Sequence, residues 1–260
     1  MIDADTFQIR FLRPPATPHN QSGGLLHIHR NIVHLWAFEL SCATETIDVF
    51  LTTLSIDEIV RARRFILRKN RDAFIVAHGI MRSVLARYCG VGASKLSFSG
   101  GFSGKPSIRP MEGLALCPEF SLSHAGDRML LAVVAEGHVG VDLECEQRGI
   151  DPLAISKRIF SGADLTAITG SEPGQMRDVF FRKWVSMEAA LKAKGLGFRF
   201  AHDSQMRVGN LLEGMLPETR DAHPLQSDWP VYVLNCDPGW YAAVSMQMGS
   251  WKIVQPSVAI

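Results

Sequence analysis

The stretch Phe180-Phe-Arg-Lys-Trp-Val-Ser-Met-Glu-Ala-Ala-Leu-Lys-Ala-Lys-Gly-Leu-Gly197 constrains the fold of this 260-residue chain more than any other. Phe180, Trp184, Met187 and Leu191 recur at helical spacing and predict one buried stripe. Ala189, Ala190 and Ala193 favour helix, and Gly195 supplies the stop. Glu188 and Lys192 lie four apart on the flank of that stripe, where a carboxylate and an ammonium can both reach into a cleft. The same spacing suits an ordinary surface ion pair, and the helix alone does not choose between them.

The choice turns on Gly140-Val-Asp-Leu-Glu144, which reads as a strand. With a side-chain period of two, Asp142 and Glu144 share one side and Val141 and Leu143 point the other way, toward the core. Adjacent carboxylates repel unless a cation sits between them. Such a pair suits Mg²⁺, which phosphate oxygens can share; an acidic, solvent-facing strand is the alternative.

Composition narrows the partners. With 47% hydrophobic and 20% charged residues, the chain can bury a proper core. Lys and Arg number 27 against 26 Asp and Glu, so no global charge points to nucleic acid or membrane, and any basic function is local. Cys42, Cys89, Cys117, Cys145 and Cys236 are scattered and odd in number, which argues against a disulfide framework. No apolar run approaches about 18 residues and no signal-like N-terminus is present, so a soluble, cytoplasmic protein is expected.

Residues 1–30 read as an irregular lead-in, whose His27 and His29 lack partners to complete a metal site. Asn31–Leu40 is rich in strand formers. Ser55-Ile-Asp-Glu58 is a capping box opening a helix that carries Arg61, Arg63 and Arg64 before Phe65. Grouped arginines suit a multiply charged phosphate or, equally, a solvated face. A longer helix runs from about Arg71 to Tyr88, with Phe74, Ala77, Met81, Val84, Leu85 and Tyr88 inward, His78 packed at its edge, and Gly90 and Gly92 as its stop. Ser99–Pro106 is a glycine-rich loop in which Lys105 offers a point charge to a phosphate, although its spacing is not that of a Walker loop. Further strands fall at Phe120–Ala125, Met129–Ala135, Val139–Glu144, Gln205–Val208, Pro230–Asn235 and Trp240–Met246, the last two joined by an Asp237-Pro-Gly239 turn. Asp151 and Ser161 cap two short helices between them.

Residues 31–136 and 138–254 thus repeat one order: strand, helices, a long helix, then strands. The expected fold is α+β, two similar α/β lobes (1–136 and 137–260) with a site at their interface. Arg61, Lys105 and His124 come from the first lobe, and Asp142, Glu144, Glu188 and Lys192 from the second. A cationic half facing a carboxylate half describes a site for a polyphosphate.

Taken in order, Arg61-Ala-Arg-Arg-Phe65, Gly104-Lys-Pro106, Phe120-Ser-Leu-Ser-His124, Gly140-Val-Asp-Leu-Glu144 and Trp184-x-x-x-Glu-Ala-x-x-Lys192-Ala-x-Gly195 resemble the motifs of the surfactin-type (Sfp-type) 4'-phosphopantetheinyl transferases. The resemblance spans about residues 31–248. It implies a pseudo-dimeric monomer that moves phosphopantetheine from coenzyme A to a serine of an acyl or peptidyl carrier protein, releasing adenosine 3',5'-bisphosphate. Carried over by position, Asp142, Glu144 and Glu188 hold Mg²⁺, and Glu144, Glu188 and Lys192 form the catalytic set. Arg61, Arg64, Lys105, Pro106, Ser123, His124 and Lys192 match positions that surround coenzyme A. Glu188 also takes the serine proton, and Lys192 steadies charge on the phosphate.

One position departs: the family's last motif usually reads Trp-x-x-Lys-Glu, and here Met187 precedes Glu188. Met187 therefore supports a second reading, a coenzyme A-binding homologue with weak or lost transfer. The bare residues also fit another Mg²⁺-dependent phosphohydrolase or nuclease, but the neutral net charge and the lack of a basic track oppose a nuclease.

Overall fold

The chain lays down one topology twice. The computed structural model describes residues 7–15, 24–100, 105–146, 150–172, 174–196 and 229–256. The first pass runs β1 (Ile32–Glu39), α1 (Thr44–Leu51), α2 (Ile56–Arg63), α3 (Arg68–Cys89), a short antiparallel pair β2 (Phe98–Gly100) and β3 (Pro106–Ile108), then β4 (Glu119–Ala125) and β5 (Arg128–Val134). The second runs β6 (Val139–Cys145), α4 (Pro152–Ile159), α5 (Gly162–Thr169), α6 (Met176–Ala193), β7 (Val231–Leu234) and β8 (Trp240–Met246). In each pass the first strand pairs antiparallel with the last, and the last with the strand before it, giving the orders β4-β5-β1 and β7-β8-β6. A final strand, β9 (Lys252–Val254), pairs parallel to β1. This is the mixed α+β architecture expected from the alternation of strand-like and helical periods.

Two units result. Among the described residues, one takes 7–9, Lys105 and those from 138 to 250; the other takes those from 10 to 100, 106–137 and 251–256. In the latter, α3 is the central helix, with Phe74, Ala77, Met81, Val84, Leu85 and Tyr88 all buried, as the periodicity predicts. It begins at Arg68, three residues before the expected start, because its first turn is exposed and carries no apolar signal. Gly79 lets α1 settle on α3: a Cβ there would lie 2.4 Å from Phe50 Cδ1.

A buried charge ties this unit together. Arg82, 1% exposed, donates from Nε (2.8 Å) and Nη2 (2.7 Å) to Glu58 Oε2 and from Nη1 to the carbonyls of Ala93 (3.0 Å) and Leu96 (2.9 Å). Glu58 also closes the expected capping box with Ser55, and His78 Nδ1 lies 2.8 Å from Glu58 Oε1. Burial alone would push the Glu58 carboxyl up. The hydrogen bonds from His78, Arg82 and Ser55 and the Arg82 charge outweigh it and hold the group at about 2.

In the other unit, Asp151 caps α4 by accepting from the backbone N–H groups of Leu153 and Ala154, with Pro152 at the first helical position. Met187, Leu191, Val185 and Phe180 of α6 pack with Phe160 of the α4–α5 junction and with Val231, Tyr241 and Ala243 of the sheet. Gly195 sits at φ +70° and ends α6 in a Schellman turn, Leu196 N–H donating to Leu191 O and Gly195 N–H to Lys192 O. The expected strand Gln205–Val208, the glycines at 101 and 104, and Gly197 lie outside the described residues.

Candidate active site

The site grows from the contact of β6 with α6. Gly140 decides how close they come: a Cβ there would lie 2.0 Å from Ala189 O and 2.3 Å from Ala193 N, both backbone atoms of α6. Without a side chain at 140 the helix backbone rests directly on the strand, a known use of an interior strand glycine. Strand alternation then turns Asp142 and Glu144, on the Gly140 side, toward the same helix.

This corrects one expectation. Asp142 does not point away from the core toward solvent; it is 4% exposed, and residues 139–143 of β6 are all buried. The period-two reading placed the two carboxylates on one side correctly, but it could not show that α6 covers that side.

Asp142 receives its charge partner from that helix: Lys192 Nζ donates to Asp142 Oδ1 at 2.6 Å. One helical turn before Lys192, Glu188 projects from the same flank and is half-buried. One turn earlier still, Trp184 Nε1 donates to Glu144 Oε1 at 3.3 Å. The i, i+4 ladder Trp184–Glu188–Lys192 thus lies along the pair Asp142–Glu144. Trp184 is more than a member of the buried stripe, for its indole N–H reaches a site carboxylate. The four-residue spacing to Glu188 was the available sign of this role.

The electrostatics are those of crowded carboxylates. Burial pushes the Glu144 carboxyl up to about 7, and the Asp142 charge adds to it; the Trp184 hydrogen bond and the Lys192 charge oppose the rise. Burial likewise pushes Glu188 up to about 7, with Asp142 and Glu144 adding and Lys192 opposing. Carboxylates crowded in this way favour a further cation or a proton. Among the described residues no three His, Cys, Asp or Glu side chains close into a metal cage of their own. Mg²⁺ seldom uses such a cage, taking one or two carboxylates and completing its shell with water and substrate phosphate. Carboxylate oxygens of the kind that Asp142 and Glu144 supply are the donors this habit calls for.

The remaining sequence candidates divide. Lys105, expected with the first lobe, groups with this unit, and its ammonium donates to Val139 O at 3.0 Å, at the start of β6. Arg61, Arg64, Pro106, Ser123 and His124 belong to the other unit. There Arg61 is exposed at the end of α2 with its guanidinium 5.4 Å from the centre of the Phe74 ring, and Arg64 is exposed one residue past that helix. Pro106 opens β3, while Ser123 is buried and His124 exposed on β4. Met187, at the departure from the family motif, is 0% exposed and belongs to the apolar core.

Comparison with known proteins converges on the same segment. The pattern of the 4'-phosphopantetheinyl transferase superfamily matches residues 138–244, from β6 through α6 into β8. The chain is 35% identical over 222 residues to 4'-phosphopantetheinyl transferase HetI of Nostoc sp., covering 85% of this chain and 90% of that one. It is 26% identical over 198 residues to 4'-phosphopantetheinyl transferase Sfp of Bacillus subtilis, covering 75% and 83%. It is 28% identical over 181 residues to the L-aminoadipate-semialdehyde dehydrogenase-phosphopantetheinyl transferase of Pongo abelii, covering 64% and 57%. With a carboxylate–lysine cluster built on the matched strand and helix, and a relative shared over nearly its whole length, the chain belongs to the 4'-phosphopantetheinyl transferase superfamily.

Proposed function

We propose that this protein transfers the phosphopantetheine arm of coenzyme A to a serine hydroxyl of an acyl or peptidyl carrier protein. The observation that carries the reading is the Asp142–Glu144–Glu188–Lys192 cluster, on the segment that matches the family. In the step proposed, the serine oxygen bonds to the β-phosphorus as the bond from that phosphorus to the bridging oxygen breaks. Adenosine 3',5'-bisphosphate leaves with the bond's electrons, and the serine proton passes to a base. Phosphoryl transfer of this sort depends on positioning and charge neutralisation more than on covalent chemistry.

The residues divide the work accordingly. Glu188, one helical turn before Lys192 on the same flank of α6, is placed to take the serine proton directly or through a water. Lys192, anchored on Asp142, offers a fixed positive charge to the transferring phosphate. Asp142, Glu144 and Glu188 would hold Mg²⁺, which when bound neutralises charge on the pyrophosphate. Arg61, Arg64, Lys105, Pro106, Ser123 and His124 are proposed to surround the adenosine and its phosphates, on the strength of their motif positions. The reading carries with it a cytoplasmic, monomeric enzyme, the expectation set by composition and family resemblance; no described helix is long and apolar enough to cross a membrane.

The test is the mass of an apo carrier protein incubated with the enzyme, coenzyme A and Mg²⁺, across a panel of fatty-acid, polyketide and peptide-synthetase carriers. A gain of one phosphopantetheine on at least one carrier is expected, and its loss on omitting Mg²⁺. No gain on any carrier, with coenzyme A still bound, would instead support the reading of a coenzyme A-binding homologue with weak or lost transfer.

A further inference from the structure

The helix α2 packs Ile59 and Ala62 on the core yet leaves other apolar residues outside. Its buried positions are Glu58 and Ala62, whereas Ile56 (79% exposed) and Val60, four apart on the outward face, lie open to solvent. Immediately after it, Phe65 is held by a ring contact with Phe74 at 5.4 Å, and Ile66 (99% exposed) and Leu67 stand clear of the surface. Of the eight large apolar residues exposed among the described residues, five fall between Ile56 and Leu67, so the exposure is concentrated in one stretch of chain. Single exposed apolar residues need no explanation, but a cluster of this kind marks a surface made to be covered.

Charge tells what covers it. Arg61, Arg63, Arg64, Arg68 and Lys69 are exposed along the same stretch, Arg68 paired with Asp72 and Asp57 the one exposed acid between Ile56 and Asn70; of these, Arg63 and Lys69 have neither a coenzyme role assigned above nor an ion pair among the described residues. A second copy of the chain across a two-fold axis would press this cationic rim against itself, which like-charge repulsion disfavours. An apolar centre ringed by cations is matched by an apolar face ringed by anions. The reaction proposed above brings in one protein partner. Resting on that reading, we propose that the face formed by Ile56, Val60, Ile66 and Leu67 docks an acidic, amphipathic helix of the carrier protein, with Arg63 and Lys69 among its cationic rim. The geometry is that of an amphipathic helix laid on a complementary surface. Rim charges would speed encounter and make the docking salt-dependent.

The double variant Ile66→Asp, Lys69→Glu tests this. Ile66 is outside any helix and fully exposed, and a glutamate in the first turn of α3 suits the helix dipole, so the melting temperature should not move. Steady-state transfer to the best carrier of the panel should show KM for the carrier raised tenfold or more, with KM for coenzyme A within twofold of wild type. A carrier KM that stays within twofold overturns the proposal while leaving the transferase reading intact. If wild type transfers to no carrier, that reading fails, and docking is then read by titrating fluorescent apo carrier. Binding lost in the variant upholds the surface, and no binding by wild type overturns it. Flotation with phosphatidylglycerol vesicles that is lost in the variant while carrier KM is unchanged would assign the patch to a membrane, and a wild-type dimer made monomeric by the variant would assign it to a second copy. Either result overturns the carrier proposal.

Discussion

Gly140→Ala is the sharpest probe of how the site is assembled. The new Cβ would sit 2.0 Å from Ala189 O and 2.3 Å from Ala193 N, where ordinary contact begins at 3.4 Å. Both obstacles are backbone atoms of α6, so no side-chain rotation relieves the clash, and the helix must retreat from β6 by about 1.4 Å. Overpacking of this kind costs about 1–3 kcal/mol. For a protein of this size that corresponds to a fall in melting temperature of roughly 2–12 °C. The larger effect is on the site, because Asp142 and Glu144 ride on the strand while Glu188 and Lys192 ride on the helix. A shift near 1 Å in a positioned catalytic group can cost about a hundredfold in rate. Transfer to a carrier, followed by mass, should therefore drop about a hundredfold with the protein still folded. The Lys192–Asp142 contact, now 2.6 Å, should lengthen in a structure of the variant. A variant that melts with wild type and keeps its rate within twofold would refute the claim that direct backbone contact at Gly140 sets the site.

Two other perturbations separate rival accounts. Met187→Lys should lower stability by at least about 3 kcal/mol without raising the rate, since it trades a fully buried methionine for an ammonium; rate and melting temperature on the same variant decide it, and a faster, equally stable protein would mean that the site lacks a lysine. Glu58, held at about 2, has a depressed carboxyl, so its contribution is present above the unfolded value near 4.5 and lost as pH falls through 2. Urea unfolding between pH 5 and pH 2 should show wild type losing about 2–3 kcal/mol that Glu58→Gln does not lose, and parallel slopes would break the assigned link to Arg82.

Periodicity carried much of this protein. The stripe of Phe180, Met187 and Leu191 is buried as its spacing predicts, and the box at Ser55 and Glu58 caps α2. These features are local: each can be read within a dozen residues. The elements without a clear local signal, α1, β2, β3 and β9, are short or lack alternation, and β9 pairs in parallel with β1, far away in sequence. The repeated strand order emerges from pairings between residues about a hundred positions apart, which no local pattern encodes.

Glu58 and Met187 show where local reading reaches its limit. As a capping glutamate, Glu58 is complete in four residues of sequence, yet its buried oxygens answer to Arg82, twenty-four residues on, and to His78. Only the packing of α2 on α3 makes one carboxylate both cap and counter-ion. Met187 poses the converse problem, for the family motif marks it as a missing charge while the helical stripe marks it as core. Burial resolves the conflict in favour of the stripe. At 0% exposure, packed with the core of its own unit, the side chain occupies apolar volume that a lysine would have to leave in order to keep its ammonium hydrated. The cation fixed among the carboxylates is Lys192, one turn further along and held by Asp142 at 2.6 Å. Under the proposed function, charge at the transferring phosphate would fall to Lys192 and a bound metal ion, while the position before Glu188 serves packing.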